Sequence, residues 1–270
     1  MPDQELDLDA LVQQVQSADK YRQISPEVIR SILLKEIPKN KNLKETIKST
    51  RNKLHQVGSA YQEKAIPYNA WEKELQLLPA SLEDPLSLTF LQKALGTHAS
   101  TRERLPILPR FFVETLRGLS PLYSILDVAC GLNPLSIPWM PLAPGFTYTA
   151  CDIYEDMTGF LDQFFAHFGI DGRARTCDLT RSIPADSFDL ALVLKTIPCL
   201  EQIDKEAGYR LLTQLNAASM LVSFPAKSLG GKSKGMLQNY ERHFLDLTAG
   251  QSWKITRFEF PGELAFLVQK

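Results

Sequence analysis

Residues 125–134 read ILDVACGLNP, and residues 146–152 read FTYTACD. Each is a short apolar run that closes on an acid. Asp127 is followed by a turn through Gly131, and Asp152 comes twenty-one residues after that glycine. In a doubly wound α/β sheet, a glycine after the first strand lets the backbone approach a nucleoside, and an acid ending the second strand accepts from the ribose hydroxyls. The loop holds one glycine rather than the GxGxxG that cradles a pyrophosphate. Acids at two strand ends around a single-glycine loop suit S-adenosylmethionine better than NAD.

Short apolar runs at 123–128, 146–151, 172–177, 188–194 and 218–224 alternate with amphipathic stretches near 134–140, 156–168 and 203–217, after a helix at 107–118. That alternation predicts a parallel sheet with crossover helices. SWKITRFEF and ELAFLVQ, joined by Pro261-Gly262, read as a hairpin of two strands. The expected fold is α/β: a Rossmann-like methyltransferase sheet over 105–270 that ends in an antiparallel hairpin. An all-helical domain over 1–104, possessing one or two small bundles, precedes it. Within it, Ser25-Pro26-Glu27 starts a helix whose stripe is Val28, Ile29, Ile32, Leu33 and Ile37, and Pro38 stops it. Asn40 is the expected cap of the next helix, with Leu43, Ile47, Leu54 and Val57 at helical spacings and Gly58 as its terminator. Further helices are expected at about 69–78 and 84–95.

The chain has 270 residues, of which 44% are hydrophobic and 23% charged, the balance of a globular protein. Neither an apolar run of bilayer length nor a leader-like start is present, so a cytoplasmic protein is expected. The four cysteines, Cys130, Cys151, Cys177 and Cys199, include no CxxC pair. The expectation is small thiols under a cofactor and no metal site. The net charge of −1 hides an excess: residues 20–53 contain ten Lys or Arg and three Glu. Such a surplus fits either a polyanionic partner or a solvated helical face. Lys44, Lys48 and Arg51 follow at four and three residues and share a face.

The strand ends predict the lining of a cofactor site. The first offers Asp127, Ala129 and Gly131, and the second Asp152. The third ends in Cys177-Asp178-Leu179, where a carboxylate can accept from the adenine amino group and Leu179 can pack on the ring. The fourth ends in Leu194-Lys195-Thr196, close to the reacting methyl. THASTRERLP, residues 97–106, offers Arg102 and Arg104, one of which suits the cofactor carboxylate; chemistry alone does not choose between them.

KSTRNKLHQVGSAY (48–61), HASTRERLP (98–106), LDVACGLNP (126–134) and SLGGKSKGM (228–236) closely resemble the aminoglycoside-resistance 16S rRNA (guanine-1405-N7) methyltransferases, and the likeness covers nearly the whole chain. The resemblance implies methyl transfer from S-adenosylmethionine to N7 of one guanine in the decoding region, on the 30S subunit; the sequence itself gives no strong sign of an oligomer, and a monomer is expected. It implies two helical subdomains that dock on the subunit. It places Arg104 on the methionine carboxylate and His98, Ala99, Ser100, Ala129, Asp152, Asp178, Leu179, Leu194 and Gln202 around the cofactor, with Tyr61 near its mouth.

Guanine N7 has a free lone pair and a sulfonium is an activated donor, so positioning and desolvation suffice and no acid–base constellation is expected. Lys195 either orients the base or is a loop charge. Met236 or Tyr240 either stacks on a displaced base or packs in the core, and Glu263 either accepts from the guanine edge or is a solvated hairpin acid. Phosphate contacts are expected from Lys20, Arg22, Lys39, Lys41, Lys44, Lys48, Arg51 and Lys53, and from Lys227, Lys232 and Lys234. The competing readings are adenine-N1 methylation of the same RNA, small-molecule methylation, and a non-catalytic RNA-binding factor that kept the fold.

Overall fold

The structure is a computed structural model that describes residues 7–58, 65–119, 121–226 and 235–270. Tyr61, Lys227, Lys232 and Lys234 lie outside the described residues.

Seven strands form one sheet in the order β3-β2-β1-β4-β5-β7-β6. They are β1 (Ser124–Val128), β2 (Thr147–Asp152), β3 (Asp171–Thr176), β4 (Phe188–Leu194), β5 (Ala217–Pro225), β6 (Lys254–Phe260) and β7 (Glu263–Gln269). The first five pair in parallel, and β7 runs antiparallel to both β5 and β6. The expected hairpin therefore exists, but its second strand lies inside the sheet and its first at the edge. Chain order reverses between β1 and β4, and such a switch point leaves a crevice at the strand ends.

Alternation along the strands sorts the two faces. Ile125, Tyr148, Leu190 and Leu192 belong to a core shared with the helices of the N-terminal half. Leu126, Val128, Ala191 and Val193 face the opposite core, beneath α10 (Ala207–Gln214) and α11 (Met236–Thr248). The N-terminal helices are α1 (Leu8–Gln16), α2 (Pro26–Glu36), α3 (Leu43–Val57), α4 (Tyr68–Leu75), α5 (Pro85–Leu95) and α6 (Ala99–Arg104). Then come α7 (Leu108–Thr115), α8 (Glu155–His167) and the short α9 (Ile197–Leu200). The boundary expected at 104–105 falls where α6 passes into a 3-10 turn, Leu105–Ile107.

Several local expectations need correction. Asn42, not Asn40, caps α3: its side chain accepts from Glu45 N, whereas the Asn40 amide donates to the carbonyl of Glu36. The stretch near 134–140 is a 3-10 helix, Asn133–Trp139, because Pro138 inside it has no N–H for an α-helical bond. Residues 203–217 hold only the shorter α10. The helix α11 was not expected as an element; of its apolar residues Phe244 and Leu247 are buried, while Leu245 is exposed.

A backbone bridge ties the N-terminal half to the sheet. Ser25 N donates to Ile153 O at 2.9 Å, and Glu155 N donates to Gln23 O at 2.8 Å. Ser25 begins α2, but its hydroxyl makes no capping bond. Among the described residues no helix is long and apolar enough to cross a membrane.

Close packing of α8 on the edge strand is testable. A Cβ at Gly172 would lie 2.6 to 2.9 Å from ring atoms of Phe165. Gly172→Ala is expected to destabilise the protein by about 1–3 kcal/mol through overpacking. Chemical denaturation should show the loss, and an unchanged midpoint would refute the packing.

Candidate functional site: a cleft at the strand ends

A cleft opens at the carboxyl ends of β1, β2 and β4. The residues that fold it adopt backbone conformations few side chains tolerate. Ala129 (φ 49) and Lys195 (φ 59) are left-handed, as is Gly131 (φ 52). Left-handed non-glycine residues cost of order 1–3 kcal/mol each and concentrate at functional sites. Gly131 is needed twice over, for its φ and because an added Cβ would meet the His98 ring at 3.0 Å.

Of the residues expected around a cofactor, His98, Ser100, Ala129, Gly131, Asp152, Asp178, Leu179 and Leu194 line the cleft. Asp152 accepts from Gly131 N at 2.8 Å and Ile153 N at 2.7 Å. Burial raises its pKa, and those N–H groups oppose the rise. Asp178 Oδ1 accepts from the amide and hydroxyl of Thr180 at 2.9 and 2.7 Å, while its Oδ2 is buried with no partner. An unpaired buried acceptor is costly and fits a ligand that brings a donor, such as an adenine amino group. His98 Nδ1 lies 2.9 Å from Ser100 Oγ, and burial with the charges of Lys195 and Arg102 lowers its pKa to about 4, so the imidazole is neutral near pH 7.

Four expected residues are not on the wall: Asp127, Ala99, Gln202 and Arg104. Ala99 is buried within α6. Gln202 is exposed; its side chain donates to Pro198 O and its carbonyl accepts from Lys53. Arg104 is buried, at 2% exposure, whereas Arg102 is exposed, which separates the two arginines that sequence chemistry left open. Arg104 pairs with Glu263 at 2.7 Å, donates to Asn133 Oδ1 at 2.9 Å, and lies over the Phe111 ring.

The positioning candidates also need revision. Glu263 is fully buried, and its carboxylate is taken up by Arg104, with Lys195 3.5 Å away. It is neither a solvated hairpin acid nor an open acceptor for a guanine edge. Burial pushes its pKa up, but the two cations hold it below the ordinary value. Lys195 lines the cleft, yet its ammonium meets Glu103 at 2.7 Å and Ser100 O at 3.2 Å. It is therefore not a free loop charge; it joins the end of β4 to α6. Met236 is half-buried at the first turn of α11. Tyr240 stacks on Phe224 with centroids 5.1 Å apart, which favours its reading as core.

Sequence reasoning missed that α2 and α3 supply part of this wall. Val28, Val57 and Gly58 line it together with Ile153 and Tyr154. Val28 and Val57 showed only as members of apolar stripes, and nothing local says which core a stripe faces. Gly58 lies so near that an added Cβ would meet Tyr154 Oη at 2.6 Å. Cys177 and Cys199 also line the cleft, and none of the four cysteines forms a disulfide among the described residues.

The basic face divides. Lys20, Lys44 and Lys48 are exposed and border one groove with Arg51. Lys44 and Lys48 make no ion pair among the described residues, and Lys41 is likewise exposed. Arg51, expected to contact phosphate, instead donates to the carbonyls of Gln14 and Val15 and the hydroxyl of Ser17, which closes α3 on the end of α1. Lys53 is committed to the Gln202 carbonyl, Lys39 to Glu36 and Arg22 to Asp19.

The profile of the family described as ribosomal RNA methyltransferase (FmrO) matches residues 17–267. The chain belongs to that family. It is 32% identical over 265 residues, 97% of each chain, to a 16S rRNA (guanine(1405)-N(7))-methyltransferase of Micromonospora echinospora. It is 34% identical over 84% of each chain to an enzyme of the same name from Serratia marcescens. The crystal structure of the 16S rRNA methyltransferase RmtF in complex with S-adenosyl-L-homocysteine superposes with a TM-score of 0.83 at 29% identity, covering 97% of this chain and 98% of that one. Family membership accounts for a mostly parallel sheet in which only β7 is reversed, and for the cleft at its switch point.

Beneath the cleft of this methyltransferase lies an acid with a displaced titration. Asp127 is 1% exposed and turned into the interior, where its Oδ2 accepts from Asn133 Nδ2 and Tyr148 Oη, both at 2.8 Å. It is not the cofactor contact its place at a strand end suggested. Burial lifts its pKa from 3.8 to about 7 against those two bonds and the charge of Arg104. Because the folded state holds this proton more tightly than the unfolded chain, the associated stability is complete below about pH 3.8 and lost as pH rises through about 7. Relative to Asp127→Asn, the wild type is expected to lose unfolding free energy between pH 4 and 7. Parallel pH–stability curves for the two proteins would contradict a raised Asp127.

Proposed function

We propose that the protein transfers a methyl group from S-adenosylmethionine to N7 of guanine 1405 of 16S rRNA and thereby confers aminoglycoside resistance. The observation that carries this reading is the cleft itself, with an unpaired Asp178 oxygen at one end and an arginine clamped beneath the other. It is supported by a chain-long likeness to enzymes of that name. The cofactor, when bound, supplies an electrophilic methyl on a sulfonium. The chain's task is then to hold and orient. Asp152 faces the ribose, Asp178 and Leu179 the adenine, and Arg104 the methionine carboxylate, with Ala129 and Leu194 beside the amino acid. Neutral His98 and the ordered Lys195 keep the methyl end of the cleft shaped and short of water. The guanine lone pair needs no base to expose it.

We further propose that the substrate is the assembled 30S subunit, met by the monomeric protein in the cytoplasm. N7 faces the deep major groove of an A-form helix, so the base must leave its stack to reach the cleft. The lysines of the α1–α3 groove, with Lys41, fit the phosphates that hold the RNA during that step. Residues 1–104 would thus serve docking and 105–270 chemistry, although α2 and α3 also close the cleft, and His98 and Ser100 of its lining and Arg104, the proposed carboxylate partner, fall before residue 105. Adenine-N1 methylation is the second reading, and the position of the modified base decides between them.

Purified protein, 30S subunits and labelled S-adenosylmethionine are expected to give one N7-methylated guanine, located by mass spectrometry of 16S rRNA fragments. A methylated adenine, or no product, would overturn the reading. Lys44→Glu with Lys48→Glu is expected to weaken 30S binding and reduce its salt dependence while leaving S-adenosylmethionine affinity unchanged.

A further inference from the structure

Arg104 has five N–H groups in a fixed plane. Its Nε–H and one Nη2–H go to Glu263, at 3.1 and 2.7 Å, and one Nη1–H goes to Asn133 Oδ1 at 2.9 Å. One hydrogen then remains on each terminal nitrogen, and two such N–H groups can meet a carboxylate in bidentate fashion. Phe111 covers the guanidinium at 5.0 Å and restricts its tilt. Glu263 fixes one edge only, and rotation about that edge is stopped by Asn133.

The amide of Asn133 cannot turn over. Its Nδ2 donates to Asp127 Oδ2 at 2.8 Å, an oxygen that also accepts from Tyr148 Oη. A flipped amide would set its oxygen against that acceptor and its N–H groups against the guanidinium. Asn133 is 2% exposed, and its own N–H is held by Cys130 O at 2.9 Å, in the loop after β1. Tyr148, Asp127, Asn133 and Arg104 therefore form one buried series of directed bonds.

We propose that Asn133 is a positioning residue: its amide, oriented by Asp127 and Tyr148, keeps Arg104 turned so that two N–H groups await the carboxylate of the bound cofactor. The inference rests on the cofactor reading above. Its test compares S-adenosylhomocysteine, which has the carboxylate, with 5′-methylthioadenosine, which has the same nucleoside and no amino acid. By calorimetric titration, Asn133→Ala is expected to weaken S-adenosylhomocysteine about tenfold or more, the scale of a lost contact to a charged group, and to leave methylthioadenosine unchanged. Asn133→Asp keeps the side-chain size, so it carries the test if the alanine variant does not fold. Its added carboxylate competes for the guanidinium, and the same selective loss is expected. Equal loss of both ligands, or loss of neither, would overturn the proposal. Wild-type protein that binds no S-adenosylhomocysteine, or Arg104→Ala that binds it undiminished, would overturn the cofactor reading and the inference with it.

Discussion

The buried pair of Arg104 and Glu263 joins parts of the chain 159 residues apart. Arg104 ends α6, in the helical half, and Glu263 begins β7, the strand inserted between β5 and β6. Neither charge can be left alone in this interior: removing one partner of such a pair costs about 3–5 kcal/mol. The pair therefore fixes where the last strand begins relative to the helix that precedes the sheet. Lys195, at the end of β4, completes the cluster through Glu103 and Glu263. Three separate segments thus meet beside the cleft, and each brings a charge that the others balance.

A second constraint closes the opposite side. Backbone bonds between residues 23–25 and 153–155 hold the start of α2 against the end of β2. That junction places Val28, Val57 and Gly58 over the cleft, so the helical half supplies part of the cleft wall. The cleft and the lysine-bordered groove are thus both built on α3, through Val57 on one side and Lys44 and Lys48 on the other. Arg51 fits this picture: it ties α3 to α1 and so secures the frame on which Lys44 and Lys48 stand.

Much of the fold was legible because strand ends announce themselves in composition. The five parallel strands lie within a residue or two of their apolar runs, and Asp152, Asp178 and Leu194 line the cleft as their strand-end positions implied. Side-chain direction was less legible. Asp127 has the same local signature as Asp152, yet its residue faces Tyr148 and Asn133 in the interior. Arg102 and Arg104 differ only in which way two neighbouring helix positions point, and Arg51 looked like its lysine neighbours because a guanidinium and an ammonium are alike in a charge count. Glu263 looked exposed because it follows a Pro-Gly turn, and only the insertion of β7 into the sheet buries it. These outcomes depend on contacts between distant segments, which periodicity does not encode.

In the proposed reading, the cleft at the β1–β4 switch point seats S-adenosylmethionine with its carboxylate on the clamped Arg104. A crystal structure of the protein with S-adenosylhomocysteine tests it most directly. The account predicts the adenine amino group at Asp178 Oδ2, the ribose at Asp152, and the carboxylate on the two remaining N–H groups of Arg104. A ligand seated elsewhere, or in the cleft with its carboxylate away from Arg104, would contradict it.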